Sequence, residues 1–250
     1  MAVQDPVLYN DYWTYLRDSM GSTYLNPNSK QIHNAYKIRT ALQSQGYCET
    51  AIAGIIGNAQ VESSITTGAI ENWSVLPNNG ENLNDVPNSY MLQYYTPPGG
   101  GQGWALGLFQ WDRFSSQYQT NDLLGWCNAN GYQWYDGNGQ MARLDFEYNN
   151  DSLYHFWDLN YGASLTWAAF KDLENTFPTY DAADAADVWA SCWEKSSLDP
   201  VGRQHRKDNG AYWYQYFTDH PYPPATGLTP ALYFGFLKRK EKNKNVRKFI

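Results

Sequence analysis

At 250 residues and 28.7 kDa, the chain can hold one large domain or a domain with appendages. Charged residues make up 17% and aromatics another 17%, with 21 Tyr and 11 Trp, so the rings either fill a core or also form platforms for flat ligands such as sugars. The net charge of −7 argues against nucleic acid or another polyphosphate as a partner of the main body.

The first 28 residues are polar and aromatic with weak periodicity and read as an N-terminal arm, 1–28. Asn28 or Ser29 can cap a helix running to about Gln45, with Ile32, Ala35, Tyr36 and Leu42 on one face and Gly46 as its stop. A second helix is predicted from about Glu49 to Ser63, where Ile52, Ile55, Ile56 and Ala59 fall at i, i+3, i+4 and i+7. From Ser64 to Gly103 the chain is rich in Asn, Gly and Pro, which predicts a long loop with room for a short hairpin. Further helices are expected over Asn121–Asn130, stopped by Gly131, then over Gln140–Tyr148, Leu165–Asn175 and Ala183–Lys195. A last one starts at Asp199-Pro200, an N-cap followed by proline, and continues to Phe217 with Asn209-Gly210 as a point of breakage. HPYPPATGLTP, residues 220–230, reads as a linker, and no internal repeat is evident.

Beyond the linker, Lys238 to Lys248 (KRKEKNKNVRK) holds seven basic residues and one acid, a +6 block that leaves −13 for the rest of the chain. It reads as a solvated tail or as a docking arm for an acidic partner. Cys48, Cys127 and Cys192 are far apart, and no pair has metal-ligand spacing, so buried thiols and neither metal nor cofactor are expected. MAVQDPVLYNDYW lacks the basic start and apolar core of a signal peptide. No stretch approaches transmembrane length, so membrane insertion is not expected.

Two features could carry chemistry. Glu62 follows Ile55 by seven residues, about 20° away around the helix, so it flanks the apolar stripe in the last turn. A carboxylate there is paired with a cation, or partly desolvated with the raised pKa that a general acid needs, or an ordinary surface Glu. GWALGLFQW, Gly103–Trp111, packs two glycines, two tryptophans and a glutamine into nine residues. Such a segment suits a backbone that approaches a ligand closely, or a tight turn with structural tryptophans.

AIAGIIGNAQVESS followed by GWALGLFQW resembles the phage tail-tip lysozyme family, whose pattern is a helix ending in Gly-Asn-x-x-x-Glu-Ser, a loop, and a Gly-Tyr-Gly-Leu-x-Gln-Trp-like strand. GQMARLDFEY resembles that family's Gln-led helix containing a Glu, and DVWASCWEKSSLDPVGRQHRKDNGAYWYQYF resembles its final stretch. The likeness spans about Ser29 to Phe217. It implies a mainly α, lysozyme-like α+β fold in which a small β element and a long loop line a cleft. The catalytic domain would cover 29–219, between the arm and a linker with basic tail, 220–250.

The implied activity is cleavage of the β-1,4 bond between N-acetylmuramic acid and N-acetylglucosamine of bacterial peptidoglycan, by a virion tail component aiding wall penetration. Glu62 matches the family's catalytic acid, and Ser63, Gly107, Gln110 and Trp111 match residues that line the cleft. Trp104-Ala105 stands where the family commonly has Tyr-Gly, so Trp104 joins the substrate-binding candidates. Glu71 is the favoured second carboxylate and Asp112 the next; a single Glu releasing an anhydro sugar is the other option. Glu147, Glu194 and Arg203 match recurrent family positions and are read as buried ion pairs or helix ties. Other tail proteins are the expected partners of the arm and the basic tail. The alternatives are a catalytically inactive tail or wall-binding protein, and a wall peptidase or amidase using Cys48, whose thiol precedes a helix.

Overall fold

The computed structural model describes residues 27–69, 87–89, 91, 105–112, 123–150, 156, 165–194 and 200–221, without the side chains of 29, 30 and 112. Helix α1 (Ser29–Ser44) begins with a reciprocal cap. Asn28 Oδ1 accepts from the Gln31 amide at 3.0 Å, and Gln31 Oε1 accepts from the Asn28 amide at 2.8 Å. Asn28 is therefore the cap, and Gly46 at φ +88° is the stop.

Helix α2 (Glu49–Ser63) has the expected bounds but not the expected exposure. Every residue from Thr50 through Gln60 is buried, so the amphipathic stripe through the isoleucines is corrected to an enclosed central helix. Its small residues are the reason. A Cβ on Gly54 would meet the Ala185 backbone at 2.7 Å, and one on Gly57 would meet the Gly210 amide nitrogen at 2.6 Å. Glycine thus lets two neighbouring helices lie against the backbone of α2. The two-residue strands β1 (Ala105–Leu106) and β2 (Trp111–Asp112) pair antiparallel, Ala105 opposite Asp112 and Leu106 opposite Trp111.

Helix α3 (Leu123–Ala129) ends ahead of Gly131, whose φ is +77°. Helix α4 (Gly137–Asn149) starts before the expected Gln140, because Asp136 caps it by accepting from the Asn138 amide at 2.8 Å. The single helix expected over 165–175 is two, α5 (Trp167–Lys171) and α6 (Leu173–Thr176), with Asp172 leaving helical geometry between them. Helix α7 (Ala182–Cys192) opens on a capping box of Asp181 and Asp184 and stops three residues short of Lys195. Helix α8 (Pro200–Asp219) runs unbroken through Asn209-Gly210. Gly210 serves a close approach instead of a break, since a Cβ there would collide with the Ala182 carbonyl.

Among the described residues the fold is mainly α with one small hairpin. Many of the rings fill the core. Trp189 of α7 is fully buried among Phe109, Phe156, Trp167 and Phe170, and it stacks on Trp193 at 5.0 Å between centroids and 15° between planes. Further along the expected loop 64–103, Asn88 is a second point of anchorage. It bonds the Gln133 side chain, the Tyr132 carbonyl and the Trp134 amide at 3.0, 2.6 and 2.8 Å. None of the described helices is long and apolar enough to cross a membrane.

The chain divides into two units, Met1–Gln215 and Tyr216–Ile250. Of the second, the described part is the end of α8 and two further residues, where His220 stacks on Tyr216. Residues 1–26 of the arm and 222–250 of the linker and tail lie outside the described residues.

Candidate active site

The C-terminal end of α2 is the focus of the candidate site. Ser64 and Ile65 follow it with φ of 55° and 59°, and the Ile65 amide returns to the Ala59 carbonyl at 3.2 Å. Left-handed geometry at a β-branched residue costs on the order of 1–3 kcal/mol and persists where the surroundings over-determine it. Here α1 does so. Gln31 Nε2 donates to the Ser64 carbonyl at 3.2 Å and Asn34 Nδ2 to the Ile65 carbonyl at 2.8 Å. The backbone leaving Glu62 is therefore fixed.

The hairpin is fixed beside it. Ser63 Oγ donates to the Leu108 carbonyl at 2.8 Å. The Gly107 amide donates to the Ala69 carbonyl at 2.8 Å. Gln140 and Glu147 stand seven apart on α4, hence on one face, and hold the hairpin at two points. The fully buried Gln140 side chain donates to the Thr67 and Trp134 carbonyls and accepts from the Leu108 amide, each at 2.8 Å. Glu147 accepts from Trp111 Nε1 at 2.8 Å, Arg143 Nε at 2.7 Å and Trp193 Nε1 at 2.9 Å. Burial pushes the Glu147 carboxyl up, while Arg143 and the two indoles oppose that.

Glu62 itself is half-open, with 24% of its side chain exposed, and it contacts Nη2 of Arg206 on α8. The guanidinium is 4% exposed, and its Nε stands 3.4 Å from Oε2 of Glu194, two residues past α7. One buried cation thus serves two carboxyls, one in the last turn of α2 and one just past α7. Arg206, Gly210 and Trp213 share a face of α8 at i, i+4 and i+7. Gly210 touches Gly57, and Trp213 Nε1 donates to Gln60 Oε1 at 2.6 Å, so the register that brings Arg206 to Glu62 is set twice. Burial, helped by the charge of Glu62 and opposed by Arg206, pushes the Glu194 carboxyl up to about 8.

The structure brings some sequence candidates together and assigns others to support. Glu62, Ser63, Gly107, Gln110 and Trp111 gather around one helix end and one hairpin. Ser63 is 2% exposed and Trp111 is 6% exposed, its ring meeting Phe109 and Trp193 edge-on. Both are engaged in holding the hairpin, Trp111 through its indole on Glu147. At Gly107 the Gln140 side chain approaches closely, its amide 2.8 Å from where a Cβ would stand. Gln110 keeps an accessible side chain, at φ +50°, with Nε2 on the Gly107 carbonyl.

Arg203 is a helix tie, meeting Asp187 at 3.2 Å and Ser191 at 3.1 Å on α7. Trp104 and Glu71 lie outside the described residues, as does the side chain of Asp112. Cys48 caps the far end of the 15-residue α2, roughly 20 Å from Glu62, and its side chain makes no cap bond. Among the described residues, no cluster of His, Cys, Asp and Glu could hold a metal ion.

Sequence reasoning missed Arg206. Its partner Glu62 lies 144 positions away, but the Arg-Gly-Trp spacing on one face of α8 was a readable signal of what meets α2.

A protected half-open carboxyl on a rigid helix end, beside a hairpin fixed by buried polar side chains, is suited to proton donation. A protein-family model described as phage tail lysozyme matches residues 33–217, which take in most of α1, the hairpin, Glu62, Glu194 and Arg206. That is well over half of the 250 residues, and with it goes a lysozyme-like activity on peptidoglycan: the chain belongs to the phage tail lysozyme family.

Proposed function

We propose that the protein cleaves the β-1,4 bond between N-acetylmuramic acid and N-acetylglucosamine, with Glu62 protonating the leaving glycosidic oxygen. The observation that carries this reading is the placement of Glu62: last turn of the buried α2, side chain 24% exposed, against a hairpin tied to the same helix end. Gln110, in the hairpin tied to the same helix end, is the proposed polar contact to sugar. Glu71 is the proposed second carboxylate, acting on the anomeric carbon directly or through water. Glu194 does not suit that part, being 7% exposed.

The biological setting we propose is the virion tail, where the enzyme opens the host wall. Arm 1–28 and tail 220–250 would attach the catalytic domain 29–219 to other tail proteins. Mass spectrometry of peptidoglycan digested by the pure protein tests the chemistry. A reducing-end muramic acid is expected, and Glu62→Gln should lower its release by at least ~10²-fold. Anhydro-muramic acid would mean the lytic transglycosylase route. Cut peptides, or a Glu62→Gln protein with more than about a third of normal activity, would refute the assignment.

A further inference from the structure

We infer that Glu194 is a positioning residue of this reaction: by taking the negative charge opposite Arg206, it lets Glu62 hold the proton that it must donate. The inference rests on Glu62 being the acid. It begins from a conflict in the geometry. A general acid has to be protonated when substrate arrives, yet Glu62 touches a guanidinium. A cation at that range lowers a carboxyl pKa by about 1–3. Left alone with Arg206, Glu62 would be an ionised carboxylate at neutral pH and a poor donor.

Glu194 removes the conflict because it shares the same guanidinium, its Oε2 3.4 Å from Nε. Two carboxyls and one buried cation are neutral as a group when they carry one shared proton. Two microstates then satisfy Arg206. In one, Glu62 is ionised and Glu194 protonated. In the other, Glu194 is ionised and Glu62 carries the proton into the open site. The pair titrates as a unit, as paired carboxyls do.

The surroundings of Glu194 fit this part and no direct one. Its side chain is 7% exposed, too closed to reach a saccharide. Both carboxyl oxygens are buried, and among the described residues neither has a hydrogen-bond donor in good geometry. A buried carboxylate whose contact is a loose one to Arg206 is poorly stabilised, so ionisation there depends on that guanidinium. Among the described residues, the charges acting on it are Glu62 of α2 and Arg206 of α8. Several other charged groups of the adjoining helices are engaged elsewhere: Arg203 with Asp187, Lys207 with Asp184, Asp208 with Gln204, Glu49 with Arg39, and Glu147 with Arg143 and the Trp193 indole. Burial and the charge of Glu62 push the Glu194 carboxyl up, which favours one proton shared over the pair.

The test is a carboxyl-carbon NMR titration of Glu-labelled protein, run beside the pH dependence of kcat/KM. In the native chain, Glu62 and Glu194 should each follow a two-step curve with common midpoints. In Glu194→Gln, Glu62 should titrate in one step at least about one pH unit lower, and the alkaline limb of kcat/KM should fall by the same amount. Glu194→Asp should restore most of both shifts. Removal of a merely structural carboxyl would lower activity at every pH and leave the limb in place; that result overturns the inference.

Should Glu194→Gln fail to fold, Glu62→Gln supplies the converse reading. Its Glu194 resonance should move to lower pH, having lost its rival for Arg206, and an unmoved resonance overturns the proposal. The Glu62→Gln rate separates the two assignments. An active Glu62→Gln enzyme sinks the general-acid reading, whereas an inactive one with an unmoved limb in Glu194→Gln sinks only the role of Glu194.

Discussion

Gly57→Ala is the substitution whose effect the packing defines most sharply. The added methyl would stand 2.6 Å from the Gly210 amide nitrogen, 2.9 Å from Gly210 Cα and 3.0 Å from the Arg206 carbonyl oxygen. All three are backbone atoms, so no side chain can swing aside. Ordinary contact lies near 3.5–4.0 Å, which requires α2 and α8 to part by roughly 1 Å. Overpacking of this kind costs about 1–3 kcal/mol, and the better helix propensity of alanine returns about 1 kcal/mol. With the clash at the upper end, the net loss is about 2 kcal/mol, or a fall in Tm of roughly 4–8 °C for a chain of this size. The same displacement carries Arg206 away from Glu62, and an error of ~1 Å at a reacting group can lower the rate ~10²-fold. Calorimetry and a turbidity assay on purified walls read the two effects. A variant with unchanged or higher Tm and full lytic rate would refute the claim that this contact sets the Glu62–Arg206 register.

Glu147→Gln should destabilise the protein by about 3–5 kcal/mol in urea titrations, because Arg143, 2% exposed, loses its carboxylate; a loss below about 1 kcal/mol would contradict that reading. Glu194 sets a pH signature on stability. Its carboxyl is raised from 4.5 to about 8, so the folded state binds more protons than the unfolded state within that window. Stability should be full below about 4.5 and decline as pH rises towards 8. Glu194→Gln should flatten this slope, and an equal slope in both proteins would refute the assignment. Cys48→Ser should keep lytic activity and gain up to ~1 kcal/mol, since serine can supply the side-chain cap that Cys48 does not; loss of activity would revive the thiol mechanism.

The sequence was most informative where local chemistry decides the outcome. The bounds of α2 follow from Gly46, the Cys48-Glu49 start and the Ser-Ser exit, and the mainly helical fold follows from such segments taken together. What faces a helix is a matter of tertiary partners. The isoleucine spacing in α2 suggested one buried face, yet the glycines and alanines between them bury the others against α7 and α8. Gly107 illustrates the same limit at the site, since the sequence signals a close approach without saying that Gln140 is what approaches. Trp111 is similar, its indole serving a buried carboxylate 36 positions later. Glu62 stood out because a local motif carries it. Arg206 did not, because its partners are carboxyls distant in sequence, one on α2 and one just past α7.

The stacked indoles of Trp189 and Trp193 have a spectroscopic consequence. At 5.0 Å these rings are close enough to couple, as are Trp111 and Trp167 at 5.8 and 6.0 Å from one or the other, so the native protein should show an indole couplet in circular dichroism that separated indoles would not give. Trp193 directly precedes Glu194 and donates to Glu147, so the couplet reports the packing beside those two carboxyls. A variant whose lytic rate falls while the couplet persists has lost chemistry; one that loses both has lost that packing. The chain thus carries its own optical gauge, at a place where an attached dye would disturb what it measures.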